Sequence, residues 1–444
     1  MQKKVFNNVF FSIIDKVIVF VVGTLTSIVL ARYLGAADYG RYTFFGVIYS
    51  LADCFASFGM QQIVTKECAV HQNKCKSILC AAATVALPAG CITELGIIIL
   101  YLSTGFLSKL EVAALGVICL FNVCSVLGYY LAATYQLKYI VQIKTIIIIL
   151  IAVLYIVLVM NKAAVEWFII VYALKECAVL AASMLAFILA GKNNDFKDQA
   201  VNGHEIFIIV KKLIRVCLPL LLAGLSVTMY MKIDQVMIKS MLGEEQLGVY
   251  SVGIKLVDAF FFIPMAIVAG VLPYFAEQHA KNTHLFWKEY ERFSSMLNAF
   301  AYLYVIIMIL FGKWIVGLLY GEEYAGAVGV LMVTICSVVP VCMGCVRGIY
   351  FSIMEYSKLS FAFSIITALM NMIMNYLLIP LFGILGAAIA TVISYWVHGF
   401  VLTFFSTRLK QMVKVQCRSL YGFIALPKEM KKIIKKYHAG AARR

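Results

Sequence analysis

Apolar runs long enough to cross a lipid bilayer recur along the whole sequence, and they restrict the chain to one broad class of fold. A membrane-spanning α-helix needs about 20 predominantly apolar residues. Of the 444 residues, 63% are hydrophobic and only 14% are charged. The run TIIIILIAVLYIVLVM, from Thr145 to Met160, does not alternate apolar and polar residues, as a strand of a membrane barrel would. The sequence therefore predicts an all-α polytopic membrane protein.

Twelve spans are predicted. They lie near residues 9–33, 42–63, 77–101, 111–134, 143–160, 165–190, 213–238, 250–275, 296–318, 325–349, 358–380 and 384–407. The first has the basic start of a signal peptide, but Asp15 and Lys16 interrupt its apolar region and no small-residue cleavage site follows. We interpret it as a retained helix.

The distribution of basic residues predicts the orientation. Most of the 38 Lys and Arg fall on the side that holds the N-terminus, and cytoplasmic loops carry such an excess. Both termini are therefore predicted to be cytoplasmic. The net charge of +16 is interpreted as a topology signal and not as a nucleic-acid footprint. In the basic tail, 409–444, residues 427–437 have the pattern of an amphipathic helix that lies on an anionic leaflet.

Two short stretches share one pattern. LGAADYGRY (Leu34 to Tyr42) and LGEEQLGVY (Leu242 to Tyr250) both read L-G-x-x-x-x-G-x-Y, and each follows the first span of its half. The longest hydrophilic stretch leaves six spans on either side, which predicts an N-terminal lobe at 1–190, a cytoplasmic linker at 191–211 and a C-terminal lobe at 212–408. An even number of spans in each half implies a pseudo-two-fold axis along the membrane normal, as in transporters that work by alternating access.

Ionisable residues inside the spans indicate a hydrated interior, because each costs at least about 2.5–3.5 kcal/mol at the centre of a helix. Asp53 and Glu94 lie near mid-span without a local partner, so they are candidates for binding a proton or a cation. Lys16 lies further into the first span than Lys3 and Lys4, so a role as a topology signal does not explain its position, and it is a candidate for facing the cavity. Lys175 and Glu176 are adjacent, so we expect them to face different ways and to form hydrogen bonds to other helices.

Spans seven and eight each carry a Lys and an Asp. Lys232 and Asp234 are two residues apart, so they cannot share a helical face. Asp234 is either a cavity residue or a charge at a helix end. Lys255 and Asp258 are three apart and share a face, which leaves open a structural ion pair or a site for substrate or a coupling ion.

Three stretches resemble a known family. ARYLGAADYGRYTFF (Ala31 to Phe45), YMKIDQVMIKSMLGEEQLGVYSVGIKLVD (Tyr230 to Asp258) and PLFGILGAAIATVIS (Pro380 to Ser394) are similar to hallmark stretches of the O-antigen and capsule repeat-unit flippases. These polysaccharide-biosynthesis proteins belong to the multidrug/oligosaccharidyl-lipid/polysaccharide exporter superfamily. The resemblance runs through both halves of the chain.

The resemblance implies a V-shaped, two-lobed bundle in a bacterial inner membrane. Such a protein moves undecaprenyl-diphosphate-linked oligosaccharide, as in lipopolysaccharide assembly, from the cytoplasmic to the periplasmic leaflet through a cationic cavity. An anionic diphosphate headgroup needs positive charge, so Lys16, Lys232, Lys255 and Arg347 are the candidate substrate contacts. Asp53, Glu94, Asp234 and Asp258 are the candidate ion-coupling residues.

Two other functions stay open. One is an ion-coupled exporter of small molecules from the same superfamily, and the other is a membrane-embedded polysaccharide polymerase or ligase. We expect no enzyme activity, because the loops are short and no ATP-binding P-loop pattern occurs. We expect no cofactor other than a coupling proton or sodium ion, and no metal site is predicted. The expected partners are the lipid-linked substrate and the bilayer. A polysaccharide polymerase and glycosyltransferases are further candidate partners. We expect no binding of nucleic acid.

Overall fold

The computed structural model describes residues 2–134, 136–190 and 202–421, with side chains from Val17 onward except at positions 137 and 269. Within these ranges the chain is predominantly α-helical and contains no β-strand. The helices run Gln2–Ala56 (α1), Met60–Val70 (α2), Cys75–Thr104 (α3), Lys109–Phe121 (α4), Ser125–Ala133 (α5), Leu137–Met160 (α6), Val165–Leu189 (α7), Gly203–Leu242 (α8), Glu244–Lys281 (α9), Thr283–Tyr320 (α10), Ala325–Thr334 (α11), Val338–Ile353 (α12), Ser357–Phe382 (α13), Ile384–Trp396 (α14), Leu402–Phe404 (α15) and Lys410–Tyr421 (α16).

The helices confirm the predicted fold class. Ten helical segments of the described chain are long and apolar enough to cross a membrane, and the first, Val17–Val70, covers most of the span predicted at 9–33 and all of the span predicted at 42–63. Helix α8 covers the span predicted at 213–238. Every predicted span therefore coincides with helix, and the chain is an all-α polytopic membrane protein.

The chain forms two compact units, unit 1 from Met1 to Gly248 and unit 2 from Val249 to Arg444. Unit 1 thus extends beyond the predicted N-terminal lobe and includes α8. Residues 203–211, predicted as linker, form the start of that helix, whereas residues 191–201 lie outside the described part of the chain.

Helix α8 belongs to unit 1 because its apolar face lies in the core of that unit. Leu213 and Cys217 are 2% and 0% exposed, and they share one apolar cluster with Met60 of α2, Ala82 of α3 and Leu131 of α5. Burying side chains of this size stabilises a fold by about 1.5–3 kcal/mol each in water, and in a bilayer close packing replaces much of that contribution.

The second residue of each L-G-x-x-x-x-G-x-Y motif breaks a helix. Gly35 has φ 74° and ψ 175° within α1, and Gly243, between α8 and α9, has φ 91° and ψ −174°. Both values of φ lie in the region that glycine enters without steric penalty. The same sequence position therefore produces the same turn in both halves.

The seventh residue of each motif is also glycine because the two motifs cross at very short range. A Cβ on Gly40 would lie 1.9 Å from the carbonyl oxygen of Glu244, and a Cβ on Gly248 would lie 1.9 Å from the carbonyl oxygen of Ala36. Ala36 and Glu244 occupy the same motif position. The repeats thus contact each other through equivalent atoms, which defines a local two-fold arrangement within unit 1. We call this contact the glycine crossing.

An ion-pair network holds the first motif against the rest of unit 1. Arg41 donates from Nε to Glu111 of α4 and from Nη1 to Glu166 of α7, each at 2.7 Å. Glu111 is 3% exposed and also accepts from the backbone N–H of Ser108, with which it forms a capping box at the start of α4. One side chain therefore joins α1, α4 and α7.

The described part of unit 2 includes a helix in the stretch that the sequence analysis assigned to the tail. The described part of the tail forms α16, with Met412, Val415, Gln416 and Ser419 buried. Asn298 of α10 donates from Nδ2 to the Ser419 hydroxyl at 3.0 Å. The tail at this point is thus a packed part of unit 2. The predicted amphipathic helix at 427–437 lies outside the described residues.

We predict that Gly248→Ala destabilises the protein, because a methyl group would meet the Ala36 carbonyl and the backbone would have to move. Overpacking of this kind costs about 1–3 kcal/mol, and the expected result is a lower melting temperature of the purified protein in detergent. Gly40→Ala should have the same effect.

Gly96→Ala is the matched control, since no atom lies within 4 Å of a Cβ at that helical position. Alanine is the better helix former there, so its melting temperature should stay the same or rise. Equal melting temperatures for Gly248→Ala and Gly96→Ala would contradict the close crossing.

Candidate functional site

A cluster of polar side chains lies inside unit 1, between α1, α4 and α7. Asp53 accepts a hydrogen bond from Nδ2 of Asn122 at 2.8 Å. Glu176 accepts one from the Tyr49 hydroxyl at 3.1 Å and pairs with Lys175 at 2.7 Å. Tyr49 and Asp53 are four residues apart on α1, so they share a face. We call these five residues the acidic cluster.

The cluster corrects one expectation and confirms another. Lys175 and Glu176 were expected to face different ways, but they pair with each other because a long Lys side chain can bend back toward its neighbour. The hydrogen bond from Tyr49 confirms that Glu176 connects to another helix. Asn122, 2% exposed, was not identified from the sequence. The available sequence signal was a polar amide, Asn122, inside a predicted span, because such a group needs a hydrogen-bond partner and Asp53 of another span was a candidate.

Aromatic rings surround one side of the acidic cluster. Lys175 places its ammonium 4.2 Å from the ring centre of Tyr172, in the range of cation–π attraction. The Tyr172 ring also meets Tyr49 and Tyr42 edge-on, at 5.7 and 5.6 Å between centroids. Lys175 thus has two partners, the Glu176 carboxylate and the Tyr172 ring.

Glu94 of α3 lies apart from these contacts. It is half-buried, and among the described residues its Oε2 is a buried oxygen without a hydrogen-bond partner. A Cβ on Gly116 would lie 2.4 Å from its carboxyl carbon, so the carboxyl group rests directly on the backbone of α4. Unpaired carboxylates are costly in low dielectric, so Glu94 stays a candidate for binding a proton or a cation.

Lys232 and Asp234 differ in burial. Lys232 is half-buried, whereas Asp234 is 4% exposed and its Oδ1 accepts from the backbone N–H of Gln235 at 2.8 Å. Gln235 is 3% exposed, and within the described ranges its Nε2 has no hydrogen-bond partner. This part of α8 therefore carries buried polar groups.

The remaining candidates lie in unit 2, except for Lys16. Lys255 is half-buried and Asp258 is exposed, both on α9. Lys16 belongs to α1, but its side chain lies outside the described part of the chain. The structure thus gathers Asp53 into a cluster, while Lys232 and Asp234 belong to unit 1 and Lys255, Asp258 and Arg347 belong to unit 2.

Arg347, a predicted substrate contact, is 3% exposed. Its Nη1 donates to the carbonyl oxygen of His398 at 2.5 Å and to the Thr403 hydroxyl at 3.1 Å. The guanidinium also lies 5.2 and 5.0 Å from the rings of Phe351 and Phe363. In this conformation Arg347 joins α12 to the segment that follows α14 and to α15, and it is not accessible to a ligand.

The His398 carbonyl belongs to the π-helical segment Val397–Val401. Such a segment inserts a residue into a helix and perturbs its ladder of backbone hydrogen bonds. Arg347 donates to one carbonyl of this segment, and Gln416 of α16 donates from Nε2 to another, that of Gly399, at 2.8 Å. Both side chains therefore satisfy backbone oxygens where the helix is irregular.

Comparisons with known proteins agree with the fold. A family model described as "Polysaccharide biosynthesis protein" matches residues 5–279, and the MatE family model matches residues 219–377. No curated protein matches the sequence significantly.

Solved structures match almost the whole chain. The lipid II flippase MurJ, in an inward closed conformation, superposes with a TM-score of 0.65 at 14% identity and covers 95% of this chain and 92% of its own. A MATE transporter in a bent conformation gives 0.60 at 16% identity, with 92% and 96% covered. A MOP superfamily transporter from Pyrococcus furiosus superposes with a TM-score of 0.59 at 16% identity, and the match covers 91% of this chain and 96% of the transporter. At sequence identities of 14–16%, this structural similarity shows that the chain shares the fold of these proteins.

We predict that Arg347→Ala lowers stability, because it leaves the His398 carbonyl and the Thr403 hydroxyl without this donor inside unit 2. The expected loss is about 3 kcal/mol, visible as a lower melting temperature, with partial rescue by Arg347→Lys. Arg418→Ala is the control, since its pair with Glu291 at 3.1 Å is exposed and worth about 0–1 kcal/mol. An Arg347→Ala protein with normal melting temperature and weakened substrate binding would contradict this structural role.

Proposed function

Because the chain belongs to the polysaccharide biosynthesis protein family, we propose that it is a flippase for undecaprenyl-diphosphate-linked oligosaccharide repeat units. It moves them from the cytoplasmic to the periplasmic leaflet of a bacterial inner membrane, in assembly of an O-antigen or a similar glycan of lipopolysaccharide. The family match over residues 5–279 carries the proposal, and the fold shared with a lipid II flippase supports it.

Alternating access is the proposed mechanism. The two repeats contact each other through equivalent atoms at the glycine crossing, as expected for parallel repeats that move relative to one another. Two helices that contact each other through glycines can rotate about the contact, because no side chains interdigitate between their backbones. In this proposal the diphosphate headgroup crosses through a hydrated path while the prenyl chain stays in lipid. Lys16, Lys232 and Lys255 supply positive charge along that path.

The acidic cluster is the proposed ion-coupling site. Asp53, Glu176 and Lys175 together carry one net negative charge when ionised, and among the described residues no cation pairs with Asp53. A proton or a sodium ion at Asp53 would neutralise that excess. Charge neutralisation inside a membrane bundle favours a different packing of the helices, so occupancy of the cluster can bias the two conformations. Glu94, Asp234 and Asp258 are the other predicted coupling residues.

A second candidate function is an ion-coupled exporter of small molecules. The match of the MatE family model to residues 219–377 favours it. Reconstituted protein separates the two functions: a flippase moves a lipid-linked glycan between leaflets, and an exporter moves soluble organic cations or drugs instead. The polymerase or ligase alternative has no specific observation in its favour, and a polymerase and glycosyltransferases remain proposed partners in the cell.

We predict that Asp53→Asn uncouples transport. In proteoliposomes with an imposed proton or sodium gradient, the variant should lose the stimulation of lipid-linked glycan translocation by the gradient, while slow equilibration without a gradient persists. Glu322→Gln, at an exposed position, should behave like the unmodified protein. Full gradient stimulation in Asp53→Asn would exclude the acidic cluster, and loss of stimulation in Glu94→Gln alone would assign coupling to Glu94.

We also predict that single replacement of Lys16, Lys232 or Lys255 by Ala reduces translocation about tenfold, since a charge-assisted contact to phosphate is lost. The readout is surface polymer in a cell that depends on this protein, at equal protein abundance. Lys109→Ala, at an exposed helix start, is the control. Full polymer in all three variants would refute the cationic path.

A further inference from the structure

A second polar site lies at the predicted cytoplasmic end of unit 1, away from the acidic cluster. A cavity of about 390 Å³ opens between the start of α8 and the turn that joins α2 to α3. Its volume falls within the range of small-molecule sites. Lys74, Lys212, His71 and His204 line it together with Glu67 and Glu205.

Two reciprocal ion pairs cross this cavity. Lys74, from the α2–α3 turn, donates to Glu205 of α8 at 2.8 Å, and Lys212 of α8 donates to Glu67 of α2 at 2.9 Å. Each side of the cavity thus provides one acid and one base. The hydrogen bond from Lys74 lowers the pKa of the Glu205 carboxyl below its usual value.

The two lysines are not committed strongly to their partners. Their side chains are 63% and 54% exposed, and ion pairs in such surroundings contribute about 0–1 kcal/mol. A diphosphate carries more negative charge than a carboxylate and has more acceptor oxygens for ammonium groups. It can therefore displace both carboxylates at small cost.

Apolar surface adjoins the polar cavity. Ile78, Ile208, Ile209 and Leu213 form the apolar part of its lining, and Asn202 completes it. Phe207, Ile208 and Ile214 of α8 are 67%, 54% and 43% exposed, so apolar surface is available to a hydrocarbon chain beside the charged groups. A ligand with an anionic head and a hydrocarbon tail matches this juxtaposition of charge and apolar surface.

We propose that this cavity is an entry site for a prenyl-linked diphosphate, in which the diphosphate takes Lys74 and Lys212 from Glu205 and Glu67. The identity of the ligand rests on the proposed function. Binding exchanges two direct ion pairs between α8 and the α2–α3 segment for contacts from both lysines to one ligand, so the ligand bridges the two sides of the cavity. Because the ammonium groups are fully available only when the pairs are broken, the ligand favours the state in which Glu205 and Glu67 have released their lysines.

The test exploits the opposite charges within each pair. Full-length protein in nanodiscs of zwitterionic lipid is titrated with farnesyl diphosphate. The double variant Glu67→Gln, Glu205→Gln frees both lysines and should bind about tenfold more tightly. The double variant Lys74→Gln, Lys212→Gln breaks the same pairs but removes the ligand's partners, so it should bind at least about tenfold more weakly.

The matched control is Glu277→Gln, Lys281→Gln, which removes an exposed ion pair of α9 and should leave binding unchanged. Both cavity variants lose the same two ion pairs, so a purely structural role would change them in the same direction. Equal weakening of both, or no change in either, overturns the proposal.

Inorganic pyrophosphate distinguishes the source of the diphosphate. If pyrophosphate binds more weakly than farnesyl diphosphate and its binding depends on the same lysines, the result supports a lipid-linked ligand. Equal affinity overturns the lipid part of the proposal and assigns the cavity to a soluble anion. The outcome is independent of translocation: lysine-dependent binding without flipping would refute the proposed function alone, and flipping without lysine-dependent binding would refute the entry site alone.

Discussion

The closeness of two backbones at the glycine crossing is the constraint on which much of unit 1 depends. Gly40 and Gly248 leave no room for a side chain, and the neighbouring carbonyls of Glu244 and Ala36 occupy the space that a methyl group would need. Small residues permit such approach in membranes, where packing and not the hydrophobic effect drives association between helices. The crossing brings the start of the second repeat against the first.

The ionisable groups of unit 1 follow a consistent physical rule. Low dielectric makes an unpaired charge expensive, and Arg41 lies between two carboxylates while Glu176 has both a Lys and a Tyr partner. Asp53 is different, because its described partner is a neutral amide. That imbalance, and not the number of charges, distinguishes a candidate coupling site from structural ion pairs.

The sequence was sufficient for the spans and for the repeat, because hydropathy and the motif glycines are local signals. It was insufficient for contacts between distant helices. Asp53 was identified from its lack of a local partner, but its partner Asn122 lies on another helix. Arg347 was interpreted as a ligand contact, since a lone Arg in a span reads the same whether it faces water or a backbone carbonyl. The irregular segment Val397–Val401, which supplies that carbonyl, has no known sequence signature here.

The placement of α8 has a consequence for biogenesis. Leu213 and Cys217 complete an apolar cluster whose other members come from α2, α3, α5 and α7. A nascent chain released only as far as the sixth span would therefore present an unfilled groove to lipid or to the insertion machinery. Unit 1 reaches its mature packing only after α8 leaves the ribosome. A gene split at residues 191–201 would produce a first fragment that needs the second fragment to finish its own interior.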